Sequence, residues 1–403
     1  EESGQEVNPQ NFAFVLDTNQ SVFSNFGPLS GAFQASNPAQ FRAVAQSSTL
    51  GYSVDATSYA IYGQGTLRPG GPDGPLGITL GLRYSWDEKS VVRSQNGAAP
   101  FATAEEIALN TQSANFSEPT GHITVDYKVS PELNVYAKAS RGYRSGGFNL
   151  RQSTQVDDPA TAGVNEAVGL IPFNEEKINA FEIGAKGQFG PVRLNAAAFY
   201  NVYTDLQATV PIPIQGGGSF GTQVVNAGEI QYLGFEVEGV FELSDALTVD
   251  AAYGYVGKTV KQFPAADING VVQNIGSIFT PGNSPDHTAN AGITYSDYIG
   301  SGDTKLTARA GWTYTSGTTF FGNPLTAAFQ NETSGEARNL FNAQLRLDGV
   351  SLGDGPEFSI QLWGKNIFNE EYVSRGIDFG QLGFGQIIFG DPATFGVDVE
   401  FTF

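Results

Sequence analysis

Apolar residues occupy every second position of the segment at residues 394–403. Phe395, Val397, Val399, Phe401 and Phe403 alternate there with small or polar residues. A β-strand with this pattern has one apolar and one polar face, because successive side chains point to opposite sides of a sheet. The same alternation recurs along nearly the whole chain, which also contains 50 Gly and 16 Tyr. This combination predicts the wall of a membrane β-barrel, with lipid on one side and water or protein on the other.

The composition excludes several classes of protein. The 403 residues include 21 Lys and Arg against 41 Asp and Glu, a formal net charge of −20, which argues against a nucleic-acid partner. No apolar run approaches the roughly 18 residues that a membrane-spanning helix needs. There are no cysteines, so disulfides, thiolate metal sites and cysteine catalysis are excluded. The chain opens at Glu1 without a signal-peptide pattern, and we expect a larger N-terminal part to precede it.

Segments of about ten residues with period-two alternation match the length of a tilted membrane-spanning strand. A shift of register by one residue would place their charges in lipid. A further strand is expected near residues 11–17. The thirteen clearest segments are residues 59–67, 78–87, 123–129, 133–143, 181–189, 192–204, 233–243, 247–255, 287–295, 306–314, 339–347, 358–368 and 394–403.

The connections between these segments alternate between short and long, as outer-membrane barrels require. Tight turns are predicted at residues 130–131, 190–191, 244–245 and 301–303. Long loops are predicted at residues 93–116, 145–176, 207–226, 258–285, 315–336 and 370–388, on the extracellular side. Repeated loops of this size argue against a water-soluble sandwich. Aromatic residues near strand ends, such as Tyr84 and Trp86, predict girdles at the membrane surface.

Several segments resemble one family, the β-barrel part of TonB-dependent outer-membrane receptors. They keep their order over residues 59–403 and end on the aromatic Phe403. They are GLRYS at 81–85, YAKASRGYRSGGFN at 136–149, EEKINAFEIGAKGQF at 175–189, NAGEIQYLGFEVEG at 226–239 and LWGKNIFNEEY at 362–372. The resemblance also identifies Phe403, with Phe401 and Val399, as an outer-membrane insertion signal read by the assembly machinery.

The resemblance implies an all-β fold, a transmembrane antiparallel up-and-down β-barrel of 22 strands with a separate N-terminal plug. This chain supplies about thirteen to fourteen strands, and neither a plug nor a TonB box is recognisable in it. We therefore expect residues 1–403 to be a partial barrel domain, in which residues 57–403 hold the membrane strands and residues 1–56 are less regular. An open sheet of this kind leaves two edges unpaired.

The implied function is TonB-dependent active transport of a scarce nutrient across the outer membrane of a Gram-negative cell. The nutrient class stays open between siderophore-type iron complexes, haem, cobalamin, oligosaccharides and aromatic compounds. The implied partners are membrane lipids and lipopolysaccharide, the TonB energising complex acting through a plug, the assembly machinery and a small or oligomeric nutrient. Two other functions stay open: a passive diffusion pore and a surface adhesion or structural barrel.

Candidate ligand-binding residues lie where strands run into long loops. Arginine binds anionic groups and aromatic side chains stack on flat ones. Glycines at 142, 146 and 147 allow the alternative that this region is a bend in the wall. The candidates are Arg141, Tyr143, Arg144, Phe148, Asn149, Phe173, Phe320 and Phe321, with Phe220 and Phe384 as further loop aromatics. Inward-facing charges such as Arg83, Lys138, Asp250 and Arg309 are interpreted as wall residues that pair with one another or hold a plug.

The sequence offers no set of residues for enzymatic chemistry. The two histidines, His122 and His287, fall in strand segments, His122 on the polar face and His287 on the apolar face. No nucleophile elbow is present. No cluster has metal-ligand spacing, and Gly216 to Gly218 are a loop tip with no helix after them. We therefore predict no catalytic residues, no metal site and no cofactor.

Overall fold

The period-two alternation becomes a single antiparallel sheet of fourteen strands. The computed structural model describes residues 2–16, 41–97, 104–155, 168–213, 220–266, 272–300, 302–325, 327–351, 357–379 and 384–402. The strands of the sheet are β1 (Glu2–Leu16), β2 (Phe41–Leu67), β3 (Leu76–Gly97), β4 (Thr111–Ser130), β5 (Leu133–Arg144), β8 (Glu176–Phe189), β9 (Val192–Thr204), β12 (Glu229–Glu242), β13 (Leu247–Val260), β16 (His287–Tyr298), β17 (Lys305–Thr315), β18 (Arg338–Ser351), β19 (Glu357–Lys365) and β22 (Thr394–Thr402). They follow one another in chain order, so every neighbouring pair is up-and-down.

The pairing places the apolar residues of successive strands on one face. One row across six strands consists of Leu80, Ile123, Ala139, Phe181, Tyr200 and Leu233. The neighbouring row, on the other face, consists of Gly81, His122, Ser140, Ala180, Asn201 and Tyr232. Leu233 is 61% exposed and Ile183, on the same face, is 64% exposed. Such a continuous exposed apolar face is what a lipid-facing barrel wall presents.

The opposite face carries the charges of the sheet, and several of them pair across strands. Arg309 donates to Asp250 at 2.6 Å, from β17 to β13. Arg346 Nη2 lies 3.2 Å from Glu400 Oε2, and Arg68 Nη2 lies 3.0 Å from Asp126 Oδ2. The prediction that inward charges pair with one another is therefore confirmed for Asp250 and Arg309.

Four long loops contain short hairpins that the sequence does not predict. They are β6 (Gly147–Gln155) with β7 (Val168–Phe173), β10 (Gln207–Pro213) with β11 (Phe220–Asn226), β14 (Pro264–Ala266) with β15 (Val272–Asn274), and β20 (Val373–Phe379) with β21 (Phe384–Phe389). A small apolar cluster of Ala227, Phe263, Ala265 and Ile275 lies beneath two of these loops. These two loops therefore share a small packed interior.

The predicted loop at 93–116 is wrong at both ends. β3 continues along β2 to Gly97, β4 begins at Thr111, where it pairs with Val92, and α1 (Ala104–Leu109) lies in the connection between them. Similarly, β2 begins at Phe41 and is much longer than the predicted strand at 59–67. The alternation of apolar and polar residues weakens in these strand extensions, because beyond the aromatic girdle neither face of the sheet contacts lipid.

The fold class is confirmed as all-β and antiparallel. β1 and β22 are the outer strands of the sheet, and no ladder joins them within the described residues. None of the helices in those residues is both long and apolar enough to cross a membrane. The division into residues 1–56 and 57–403 stays a prediction. Gly216 to Gly218 lie outside the described residues.

Candidate functional site

A polar cavity of about 690 Å³ lies against the inward face of β2 to β5. Its position follows from the register, because the inward positions of four adjacent strands converge there. Arg83 and Asp87 come from β3, His122 from β4, and Lys138 from β5. Tyr62 and Tyr143 also line it. The cavity therefore combines cations, one carboxylate and two phenols on the side away from lipid.

The imidazole of His122 lies directly on the backbone of Gly81. A Cβ at position 81 would stand 2.5 Å from His122 Cε1, so only glycine leaves room for the ring. His122 is paired with Gly81 in the register and faces the cavity, as its place on the polar face predicts. The second histidine, His287, lies on the apolar face, where its Nδ1 is 2.7 Å from the Tyr253 hydroxyl.

Above the cavity, β4 and β5 separate, and side chains bridge the gap. The last β4–β5 pair is Gly121 with Arg141, while β4 continues along β3. Pro119 lies in the part of β4 that no longer pairs with β5, and a proline has no N–H to donate to a neighbouring strand. Glu118, only 11% exposed at its side chain, accepts from Arg141 at 3.3 Å and from Lys177. The Tyr143 hydroxyl donates to the Asp87 carboxylate. These contacts replace the missing backbone ladder.

The loop that follows β5 is tied to the upper part of β3, beyond the aromatic girdle. Lys89 donates to the carbonyl of Gly146 at 2.6 Å. Arg93, 4% exposed, donates through Nε to Asn110 at 2.8 Å and through Nη1 to the carbonyl of Leu150 at 3.0 Å. Burial lowers the pKa of the Arg93 guanidinium to about 10. Two cations thus hold the start of this loop over the inward side of the sheet.

Asn149 joins two loop hairpins. Its Nδ2 donates to the carbonyls of Ile171 at 3.2 Å and Val224 at 2.9 Å, and its Oδ1 accepts from the Val224 N–H at 2.7 Å. Ile171 belongs to β7 and Val224 to β11, so one amide connects both hairpins to β6. Both the nitrogen and the oxygen of the Asn149 side-chain amide therefore form hydrogen bonds.

Replacing Asn149 with alanine is expected to uncouple the two hairpins. The variant removes this partner from the carbonyl of Ile171 and from the amide and carbonyl of Val224, which are half-buried, at a cost of about 0.5–1.5 kcal/mol for each hydrogen bond. Amide hydrogen exchange at residues 170–173 and 223–226 should accelerate by about tenfold or more, while β9 is unchanged. Asn115→Ala, at an exposed position of β4, is the matched control. Equal exchange in both variants would contradict this role of Asn149.

The predicted ligand-binding residues fall into two groups. The first lies at the β5 end and in the β6–β7 hairpin. In it, Arg144 binds Glu176 at 3.1 Å and the carbonyl of Gln207 at 3.3 Å. Phe148 lies opposite Pro172 in the hairpin. Together the first group consists of Arg141, Tyr143, Arg144, Phe148, Asn149 and Phe173.

The second group, Phe320 and Phe321, lies in another loop. Phe320 packs near Gly282 and Gly376, and Phe321 accepts a hydrogen bond from Gln330 through its carbonyl. Phe384 pairs with Phe379 and Phe220 with Pro213, each inside its own hairpin. Ligand binding by all of these residues stays a prediction.

The sequence did not single out Asp87 and Glu118 as members of a site. Alternation places both on the polar face, but their partners Tyr143 and Lys177 are more than fifty residues away. The predicted insertion signal lies on the last strand, where Val399 and Phe401 point outward at 50% and 57% exposure. Phe403 lies outside the described residues, and the signal stays a prediction.

Comparison with known proteins assigns the chain to a family. The model of the family "TonB dependent receptor-like, beta-barrel" matches residues 4–367. The ferric-pyoverdine M114 receptor PbuA of Pseudomonas sp. (strain M114) is 26% identical over 333 residues, covering 82% of this chain and 34% of that receptor. The pesticin receptor of Yersinia enterocolitica is 26% identical over 174 residues, covering 42% of this chain and 22% of the receptor. The chain thus spans about a third or less of the length of these curated relatives.

Solved structures of low sequence identity share the fold. The ferric yersiniabactin uptake receptor FyuA from Yersinia pestis superposes with a TM-score of 0.64 at 19% identity, covering 90% of this chain and 47% of that one. The ferric-catecholate import receptor Fiu from K12 E. coli gives a TM-score of 0.59 at 16% identity, with coverages of 90% and 46%. These findings confirm the resemblance drawn from the sequence motifs. The chain belongs to the TonB-dependent receptor-like β-barrel family.

Proposed function

We propose that this chain forms the wall of a TonB-dependent receptor that takes up iron–siderophore complexes across the outer membrane of a Gram-negative bacterium. The observation that carries the proposal is the 333-residue similarity to a receptor named for ferric pyoverdine. The family match over residues 4–367 supports the same assignment. Siderophore-type iron complexes are therefore the favoured nutrient among those left open by the sequence.

The described residues supply three physical contributions to such a transporter. The exposed apolar face holds the sheet in hydrocarbon. The polar face lines an interior through which a solute passes. The loops, tied together by Asn149 and to β3 by Arg93, present a structured surface for capture of the ligand. Energy would arrive from the TonB complex through a plug, and lipopolysaccharide and the assembly machinery would contact the outer wall.

No covalent step is assigned to this protein. The family is one of receptors and transporters. Within the described residues no group of three or more His, Cys, Asp or Glu side chains is placed to hold a metal ion. The iron in the proposal is cargo, carried inside its organic ligand.

The proposal is tested by deleting the gene and measuring growth under iron limitation imposed by a chelator. We expect slow growth that is restored by the plasmid-borne gene or by excess iron salt, and loss of labelled ferric-siderophore uptake. A strain without TonB should lose the same uptake. Uptake that persists without TonB would instead indicate a passive pore. Normal growth on limiting iron combined with failure on a single sugar would indicate oligosaccharide transport.

A further inference from the structure

The part of β4 that lies beyond the aromatic girdle, residues 111–117, forms a free edge of the sheet. β5 pairs with β4 only as far as Gly121, while the β3–β4 ladder continues without a shift to Thr111. Within the described residues no other strand joins β4 there. Ser117 is paired with Trp86 of the girdle, so the residues before it extend on the side of the long loops. At the usual rise of a strand this free edge is about 20 Å long.

The register shows which backbone groups point to the free edge. At one end of the β3–β4 ladder, the N–H of Lys128 donates to the carbonyl of Pro75 at 2.8 Å. At the other end, the carbonyl of Asn110 accepts from the N–H of Arg93 at 2.9 Å. Even-numbered residues of β4 therefore turn their backbone groups to β3, and odd-numbered residues turn theirs to the opposite side. The odd-numbered residues of the free edge, all of them exposed, are Thr111, Ser113, Asn115 and Ser117.

The free edge is held in place but is not blocked. Phe116 and Glu118 are buried on the inward face, and the Gln112 side chain donates to the carbonyl of Leu109 at 2.9 Å. Proteins usually protect a free edge with charged residues, a proline or a bulge. Pro119 stands at the end of the free edge nearer the membrane, but residues 111–117 contain neither a charge nor a proline, and no bulge interrupts their pairing with β3.

We propose that this free edge binds a basic, extended segment of a protein partner at the cell surface, which adds to the sheet as a further strand. In this mode of recognition, backbone hydrogen bonds to the edge supply affinity and the alternate side chains of the added strand supply specificity. The surface lies on the loop side of the wall and is separate from the uptake of iron complexes proposed above.

The charges beside the free edge favour a basic partner. Asp55 of β2 and Glu88 of β3 are exposed on the outward face. Arg141 and Lys177, near the end closer to the membrane, are already bound to Glu118. A basic strand is therefore attracted, whereas a second copy of this chain would bring the same carboxylates and be repelled. Lysine and arginine are absent from the outward positions of residues 53–59, 86–92 and 111–119.

The test measures binding of synthetic peptides, by fluorescence anisotropy, to the natural full-length protein in lipid nanodiscs. The probe is a peptide of about eight residues in which threonine and lysine alternate, long enough to cover the edge. One comparison peptide has glutamate in place of lysine. Another has proline in place of threonine, which keeps the charge but prevents strand pairing. We expect only the threonine–lysine peptide to bind saturably and to slow amide exchange at residues 111–117 at least tenfold, with β9 unchanged.

Two pairs of variants locate the binding. Asn115→Pro removes an N–H that points to the free edge and should weaken binding at least tenfold, whereas Asn115→Ala keeps that N–H and should bind within twofold of the parent. Glu88→Lys should weaken binding about fivefold, whereas Asp245→Lys, the same change of charge in the tight turn at 244–245, should stay within twofold. The second pair keeps the test valid if the proline disturbs the strand.

Three results would overturn the proposal. They are absence of saturable binding, equal binding of the proline peptide, and equal effects within both pairs of variants. Dimerisation without peptide that is lost in Asn115→Pro would assign the free edge to a second copy of the chain instead, and would also contradict the proposal.

Discussion

Replacing Ala198 with arginine is expected to destabilise the folded protein in membranes by about 2–4 kcal/mol, the cost of a cation facing lipid near the bilayer midplane. Ala198 is the seventh of the thirteen residues of β9, between the short turn and the extracellular end. It pairs with Ile183 and Phe235 on the exposed apolar face. The arginine would therefore lie where no water or carboxylate is available to it.

The preceding residue provides the control. Ala197 faces the opposite side and pairs with Gly184 and with Glu236, a carboxylate. Ala197→Arg should change stability by no more than about 1 kcal/mol, because the new charge is solvated or paired. Both variants are compared by urea unfolding from lipid vesicles, followed by the heat-dependent shift in gel mobility. Equal destabilisation by the two substitutions would contradict the assignment of the two faces.

Replacing Glu118 with glutamine is expected to open the gap between β4 and β5. The change keeps the size of the side chain but removes the charge that Lys177 and Arg141 bind. A buried charged hydrogen bond contributes about 1.5–3 kcal/mol, and Lys177 accounts for most of it because Arg141 is 43% exposed. Amide exchange at residues 141–145 should rise by about tenfold or more.

A double-mutant cycle separates this effect from a general loss of stability. Combining Glu118→Gln with Lys177→Met removes both charges and should cost less than the two single changes added together. Glu88→Gln, at an exposed carboxylate of β3, should leave the exchange unchanged. Additive effects of Glu118 and Lys177 would show that the ion pair does not hold the strands together.

The strands of the wall were predictable because lipid imposes a strict rule on them. In β9 the outward positions from Val192 to Val202 are all apolar, with only Ala197 and Phe199 apolar on the inward face, and the predicted bounds 192–204 are those of the structure. The loop hairpins follow no such rule, since neither of their faces is lipid. β10 even contains Pro211 and Pro213, which argue against a strand in sequence analysis.

The candidate site was predictable only in part. Arg141 and Tyr143 were found because they precede a glycine-rich loop at a strand end. Their partners Glu118 and Asp87 depend on the register and on where β4 leaves β5, which no local pattern encodes. Asn149 was predicted as a ligand contact, and the structure instead shows both ends of its amide bonded to neighbouring hairpins. Whether it also contacts a ligand stays a prediction.

The two-faced wall can be tested by a spin-label scan of residues 193–202, one cysteine at a time. The chain contains no cysteine, so each label is unique within it. In bilayers, labels at Leu194, Ala196, Ala198 and Tyr200 should be accessible to oxygen, which dissolves in hydrocarbon. Labels at Arg193, Asn195, Ala197 and Asn201 should show low oxygen accessibility. Uniform accessibility along the segment, or the opposite phase, would contradict a transmembrane wall.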